Sequence, residues 1–503
     1  MSEINNPGSP TTQVEDRPPR LTWVRAFWFI VILVFFVAAL DRFLEWDEAV
    51  FFSQSGGLDG NPSRPNWFAA SREMGPPLVI AALRLTGLDL AQVRIAWAVL
   101  AIALSIVVFR SLGRHVGRSI AMASLLTLWT FWLTLAFSGS FYGSLFAGLF
   151  SVLAISTYLT VRTTPGWRNA ALFGIAISGA LAMRQLESVI VTCVIVGHSL
   201  VVRPSLMWRD RIKESLTAVA IFIGAFVIPW VGLSIRQYGS VGERLRLLKE
   251  QAAGLPSGWT WGLDDYVRVI GGGTQSNTPF APLPTWPLTG MALALTALAV
   301  LAMFGRGSDR SSRQAILLTS AVAGALVAFF TLRYATVEVR DRYVTMVAPL
   351  AAVLVGWLWS RSMHGLSSRP KWIAPAALGS ILVLWLASQL ALAIPYENNR
   401  DSLGEANLRV GSTMQVIASS GDCVAVSRFG APEIQAASGC SVTRMTDEPT
   451  AITWAEDIEK LTVTAFILWP GPADTLDLPG EWTSLETRVG RTSRTLYYFK
   501  PDR

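Results

Sequence analysis

Four carboxylates fall between positions 41 and 48, directly after the first apolar run: Asp41, Glu45, Asp47 and Glu48, set among Trp46, Phe51 and Phe52. Carboxylates this close to lipid are costly unless they have a task or a cationic partner. Asp47, within hydrogen-bond reach of an acceptor hydroxyl, could take its proton as a new bond forms, which is the work of a general base. The same charges also fit a solvated loop start in which Asp41 and Arg42 merely flank a membrane span.

A second grouping places Arg333, Tyr334, Glu338, Arg340, Asp341, Arg342 and Tyr343 ahead of Met346, Pro349 and Leu350. Guanidinium forks bind phosphate oxygens in bidentate fashion, more strongly when partly desolvated, so Arg333, Arg340 and Arg342 suit a lipid phosphate. Arginines that flank a span also reach for phospholipid headgroups with no specific ligand. Two smaller groupings complete the set. Arg184 and Glu187 sit in a short link between apolar runs, and Ser138, Ser140, Phe141 and Tyr142 fill another.

The elements that must position these groups are membrane spans. Of 503 residues, 51% are hydrophobic and 15% charged, and the mean hydropathy of +0.42 is too apolar for a soluble chain of this size. Apolar runs recur near 22–40, 93–109, 119–137, 141–160, 169–184, 187–202, 216–235, 286–304, 314–332, 343–360 and 372–393. Each can cross a hydrocarbon core of roughly 30 Å as a helix. The expectation is a mainly α, polytopic transmembrane bundle of about eleven spans. The first run carries no cleavage site and reads as a retained anchor, and the polar, Pro-rich residues 1–20 read as a disordered cytoplasmic tail.

Arginine and lysine gather in alternate loops, among them Arg110, Arg114 and Arg118, then Arg203, Arg209, Arg211 and Lys213, then Arg306, Arg310 and Arg313. The positive-inside bias therefore puts the N-terminus in the cytoplasm, and an odd number of spans puts the C-terminus outside. All four polar groupings then fall on the extracytoplasmic face, where an active site is expected. The net charge of +7 forms no continuous basic face with interleaved aromatics, which argues against nucleic acid as a partner.

Residues 21–394 read as the transmembrane domain. From about residue 395 the composition becomes that of a soluble domain, with short β-rich runs alternating with helical stretches, and 395–503 reads as a small extracytoplasmic α/β unit. It carries no nucleophile elbow or phosphate-binding glycine loop. Cys423 and Cys440 could close a disulfide if their compartment is oxidising. No Cys/His spacing suggests zinc, and His115, His198 and His364 fall at ends of apolar runs on the cytoplasmic side.

Residues 41–54 (DRFLEWDEAVFFSQ), the segment Gly75, Pro76, Pro77 and Leu78, the pair Phe141 and Tyr142, and Asp341, Arg342 and Tyr343 with Pro349 and Leu350 occur in an order that resembles one family. It is the GT-C class of membrane glycosyltransferases, in the branch of protein O-mannosyltransferases and the aminoarabinose transferase of lipid A. The similarity covers roughly residues 20–395, with Gly75 standing where histidine is common. It implies an inverting transfer of a hexose or pentose from a polyprenyl-phosphate donor to a hydroxyl of a lipid, glycan or protein acceptor, at the outer face of the plasma membrane. By the same resemblance Asp47 is the base, with Glu48 positioning it or the acceptor. Arg342, with Arg340, Arg333 and Arg184, steadies the donor phosphate, and Tyr142, Glu187 and Tyr343 are further site candidates. No cofactor is implied with certainty, and a divalent metal, Mg or Mn, stays open. Two other readings remain: a flippase or transporter of lipid-linked saccharides, which should carry charges at broken spans near the midplane, and a non-catalytic membrane scaffold.

Overall fold

The structure is a computed structural model. It describes residues 23–38, 44, 46–56, 73–201, 208–253, 259–261, 269–270, 310–334, 341–366 and 373–418, followed by 423–427, 431–438, 440–444, 448–458, 463–470, 476–478, 482–489 and 492–500. The tail 1–20, the expected span 286–304, Asp41 and Arg340 lie outside the described residues.

Helix α1 (Trp23–Val37) buries Ala26, Ile30, Leu33, Val34 and Val37, one stripe at three- and four-residue spacing. Its other faces carry Trp28, Phe29, Ile32 and Phe36, exposed apolar groups suited to lipid. Helices α2 (Trp46–Gly56) and α3 (Gly75–Arg84) follow. Pro76 and Pro77 open α3, where a missing N–H costs nothing. A reciprocal cap starts α4 (Leu90–Val116): Asp89 Oδ1 accepts from the Gln92 amide at 2.8 Å, and Gln92 Oε1 accepts from the Asp89 amide at 3.1 Å.

The run expected as one span at 119–137 is broken into α5 (Arg118–Thr130) and α6 (Trp132–Phe137) by extended backbone at Phe131. The break frees the Trp132 amide, which donates to Gln389 Oε1 at 3.0 Å, while Trp385 Nε1 donates to Thr130 Oγ1 at 3.0 Å. Polar side chains from a neighbouring helix thus supply the hydrogen bonds that hydrocarbon cannot.

Helix α7 (Ser144–Thr163) is the axis of the bundle, with 78% of its apolar window buried. It is followed by α8 (Trp167–Met183), α9 (Gln185–Val201) and α10 (Trp208–Phe222). A π-helical turn at Ile223–Val227 leads into α11 (Ile228–Tyr238), where Pro229 removes one amide from the ladder. The apolar window within Ile212–Tyr238 is only 6% buried, at the rim of the described bundle. Helix α12 (Val241–Ala253) is short and charged. Then come strand β1 (Trp259–Trp261), α13 (Arg310–Thr331), β2 (Leu332–Tyr334), α14 (Asp341–Leu366) and α15 (Ile373–Ala418). β1 and β2 pair antiparallel and tie the chain after α12 to the end of α13.

Among the described residues, five helices are long and apolar enough to cross a membrane: Leu90–Val116, Ser144–Thr163, Ile212–Tyr238, Arg310–Thr331 and Asp341–Ser360. Trp23–Val37, Gln185–Val201 and Val383–Tyr396 are shorter apolar helices. Glycine sets the closest approaches. A Cβ on Gly148 would strike the Met346 carbonyl and the Pro349 ring on α14, and one on Gly143 would strike the Met183 carbonyl at the end of α8.

Helix α15 runs unbroken through Pro395, so the boundary expected near 395 lies inside a helix. Its last turns place Val410, Met414 and Ala418 in the core of the C-terminal unit. There β3 (Cys423–Ser427), α16 (Ala431–Ser438), β4 (Ser441–Arg444), α17 (Glu448–Ile458), β5 (Thr464–Pro470), β6 (Thr483–Val489) and β7 (Thr492–Phe499) build a five-stranded sheet of order β4-β3-β5-β7-β6. β4, β3 and β5 are parallel, and β7 and β6 are antiparallel to their neighbours. Along β5 the side chains alternate faces: Phe466 and Leu468 pack under α15 and α16, Ile467 and Trp469 against α17. Cys423 and Cys440 are joined, with Sγ atoms 2.13 Å apart. Helix α16 rests on α2, so the small domain sits beside the helix that carries Asp47 and Glu48.

Candidate active site

The ends of several helices meet at one pole of the bundle. Gly75 at the start of α3 lies against the Ala182 carbonyl, where an added Cβ would stand 2.8 Å away, and Gly143 ahead of α7 lies against Met183. Arg184 links the end of α8 to the start of α9, and Arg342 opens α14. Four helix N-termini, those of α3, α7, α9 and α14, therefore gather around Arg184 and Arg342, each contributing partial positive charge.

Tyr343 is the centre of the cluster. The Arg184 guanidinium lies 4.6 Å from its ring centroid and that of Arg342 5.3 Å away. Phe330 stacks on the same ring, nearly parallel at 8°. Arg342 also lies 5.6 Å from the Tyr142 ring. Cations over desolvated aromatic faces are held in orientation as well as attracted. Both arginines are buried, with 7% and 9% of their surface exposed.

Arg184 is further gripped by two carboxylates: Nη1 donates to Glu73 Oε1 at 3.2 Å and Nη2 to Glu187 Oε1 at 2.8 Å. Its Nε, together with the hydroxyls of Ser144 and Ser188, is buried with no hydrogen-bond partner among the described residues. Asp341 Oδ1 accepts from the Arg342 amide at 2.9 Å, and Oδ2 accepts from the Tyr396 hydroxyl. Tyr396 packs edge-on to Trp132 at 5.3 Å and tilted to Phe137 at 5.9 Å, and Phe137 meets Tyr142 at 5.4 Å. An aromatic wall thus joins α6, α15 and the start of α7.

Glu48 belongs to the same pole but faces inward. It is fully buried, Arg94 Nη2 donates to both of its oxygens at 3.4 Å, and the Phe141 amide donates to Oε1 at 3.1 Å. The carboxylate ties α2 to α4 and to the link before α7. Asp47 precedes Glu48 in α2, as Phe141 precedes Tyr142, so the backbone of Asp47 stands at the Arg342 end of the bundle. The side chains of Asp47 and Arg333, like the whole of Arg340, are outside the described residues.

Sequence reasoning named Arg184, Glu187, Arg342, Tyr343 and Tyr142, and the structure brings these five together. It missed Glu73 and Arg94. Glu73 directly precedes Met74 and the Pro-led start of α3, a signal that was available. Arg94 lies inside an apolar run, and a lone arginine there asks for an acidic partner. A neighbouring cation, Arg244 on α12, is sandwiched at 5.0 Å from Trp230 and 5.6 Å from Tyr238. Burial pulls its pKa below the ordinary value, with Tyr238 and Glu73 opposing the shift.

Each described carboxylate of the cluster already answers a donor: Glu48 with Arg94, Glu73 and Glu187 with Arg184, Asp341 with Tyr396. Mg and Mn take several oxygen ligands in a near-octahedral set. Among the described residues no group of three or more His, Cys, Asp or Glu side chains offers one.

No protein-family model and no curated protein matches the sequence. Solved structures match the fold. ArnT from Cupriavidus metallidurans in the apo state has a TM-score of 0.64 at 15% identity, over 95% of this chain and 97% of that one. The same protein bound to undecaprenyl phosphate gives 0.62 at 15%, over 95% and 98%. The archaeal oligosaccharyltransferase AglB from Archaeoglobus fulgidus, in complex with an inhibitory peptide and a dolichol-phosphate, gives 0.51 at 11%, over 89% of this chain and 69% of that one. The chain therefore has the fold of the GT-C class of membrane glycosyltransferases.

Proposed function

We propose that the chain is an inverting glycosyltransferase of a cell membrane that moves a sugar from a polyprenyl-phosphate donor to an acceptor hydroxyl at the extracytoplasmic face. The observation that carries this reading is the buried cationic pole. Arg342 and Arg184 stack on Tyr343 where four helix N-termini meet, and buried donors at Arg184 Nε, Ser144 and Ser188 have no acceptor among the described residues. Such a place suits an anion, and a phosphate on a membrane-bound lipid is the anion that a GT-C fold would present to it.

In this reading Asp47 takes the proton of the acceptor hydroxyl, the acceptor oxygen bonds to the sugar C1 from the face opposite the phosphate, and the C1–O bond to phosphate breaks. The configuration at C1 inverts. The donor phosphate is a diester with one negative charge and leaves as a monoester with two, so charge develops at the cationic pole during the step. Arg342 and the helix N-termini then bind the transition state better than the donor, which is what lowers the barrier. Arg333 and Arg340 are assigned to the same phosphate as outer contacts. Glu48, anchored by Arg94, fixes the helix on which Asp47 rides and is a positioning residue.

About eleven spans, with the N-terminus in the cytoplasm and the domain from 395 onward outside, put lipid tail and sugar on their proper sides of the interface. The C-terminal domain, resting on α2, roofs the acceptor side. The test is sugar transfer from polyprenyl-phosphate donors by the purified protein and its Asp47→Asn variant. Loss of turnover with donor binding retained is expected, and undiminished turnover would dismiss the mechanism.

A further inference from the structure

Three side chains of α15 reach other helices from one face, because Trp385, Gln389 and Tyr396 follow one another at helical spacing. Trp385 Nε1 donates to Thr130 Oγ1 and Gln389 Oε1 accepts from the Trp132 amide, both at 3.0 Å, and these two bonds serve the break between α5 and α6. Tyr396 serves a different place. Its hydroxyl donates to Asp341 Oδ2, at the start of α14 and 55 positions earlier in the chain.

Asp341 in turn holds Arg342. Its Oδ1 accepts from the Arg342 amide at 2.9 Å, one of the first-turn N–H groups for which a helix supplies no partner of its own. A carboxylate held at one oxygen keeps its freedom to rotate about the Cβ–Cγ bond, and a second donor at the other oxygen fixes its plane. The backbone of Arg342 is thus anchored, and its guanidinium lies 5.6 Å from the Tyr142 ring and 5.3 Å from the Tyr343 ring. The buried Tyr396 ring backs the same arrangement, through Phe137 to Tyr142. Further contacts of Asp341 and Arg342 add to these bonds and do not replace them.

We infer that the Tyr396 hydroxyl is a positioning group for Arg342: through Asp341 it sets the first turn of α14, so that the guanidinium is already aimed when a lipid phosphate arrives. A donor oriented beforehand loses less freedom on binding, and the gain appears as affinity. Helix α15 continues unbroken into the C-terminal domain, where Val410 and Met414 enter the core, so the same hydroxyl ties that domain to the anion site. The inference rests on the reading of Arg342 as a phosphate ligand given above.

The test is native mass spectrometry of the full chain in mild detergent, titrated with undecaprenyl phosphate. Tyr396→Phe keeps the ring and deletes the hydroxyl, and should weaken binding about tenfold, as expected for the loss of one charge-assisted hydrogen bond. In an Arg342→Gln background, where binding is already weakened, the same change should cost nothing more, since a group that acts through Arg342 has nothing left to act on. Trp385→Phe, which removes the bond to Thr130 from the same face of α15, is the control and should bind like the unmodified protein. Full binding by Tyr396→Phe, alongside loss in Arg342→Gln, would overturn the inference and leave the phosphate reading standing. An equal loss in both backgrounds, or in Trp385→Phe, would reduce Tyr396 to packing and overturn the inference as well. No binding by the unmodified protein, or full binding by Arg342→Gln, would sink the phosphate reading itself and the inference with it.

Discussion

Glu48 and Arg94 meet at 3.4 Å with both side chains fully buried, one on α2 and the other inside the membrane helix α4. Removing one member of such a pair leaves an uncompensated charge, at a cost of about 3–5 kcal/mol, whereas removing both charges together costs much less. Arg94→Met should therefore lower the thermal midpoint of the detergent-purified protein sharply, and the double variant Glu48→Gln, Arg94→Met should recover more than half of the loss. The glutamine keeps an oxygen for the Phe141 amide. Equal midpoints for the single and double variants would show that the pair holds nothing.

Arg342 and Arg184 share Tyr343 but differ in their partners, and the difference separates chemistry from scaffolding. Arg184 is balanced by Glu73 and Glu187, so Arg184→Gln strands two carboxylates and should destabilise the fold. Arg342→Gln should leave the fold intact and lower single-turnover transfer by about 10²–10³-fold, the usual cost of losing one donor to developing charge. The two measurements, midpoint and rate, must move in opposite proportion for the two residues. Full activity in a folded Arg342→Gln protein would remove it from the site.

The bundle was legible because hydrocarbon leaves a helix no other source of hydrogen bonds, so apolar length alone marks the spans. The break at Phe131 was not legible. Nothing in a run of apolar residues announces that Gln389, more than 250 positions away, will accept from the Trp132 amide. The same holds for the site. Residue type and position at span ends pointed to Arg184, Arg342 and Tyr343, but stacking of both cations on one ring is a product of tertiary packing. Glu48 reads in sequence as a solvated or catalytic acid. Its burial against Arg94 depends on a helix that lies 46 positions further on.

Helix α7 is seated by glycine. A Cβ at Gly148 would enter the backbone of α14 at Met346, on the same face as Pro349, and backbone cannot rotate away as a side chain can. Gly148→Ala should force α7 and α14 apart and cost about 1–3 kcal/mol or more, read as a lower thermal midpoint. Gly197→Ala, at a position with open space around it, is the control and should be neutral or slightly stabilising. A Gly148→Ala protein as stable as the control would mean that the two helices do not touch there.

The C-terminal domain offers a test of both its fold and its side of the membrane. Cys423 in β3 and Cys440 before β4 are 17 positions apart, and a cross-link closing a loop of that size stabilises by about 3 kcal/mol through the unfolded state. Reduction, or Cys423→Ser, should therefore make the domain susceptible to limited proteolysis while leaving the membrane helices protected, because its two small cores are separate from that of the bundle. In intact cells a membrane-impermeant maleimide should label the chain only after a reductant has been added. Cys193, the other cysteine, is exposed on the apolar helix α9, which in the proposed topology puts it within the membrane and out of that reagent's reach. Labelling without reductant would contradict the pairing, and labelling that requires permeabilised cells would place the domain, and with it the proposed acceptor side, in the cytoplasm.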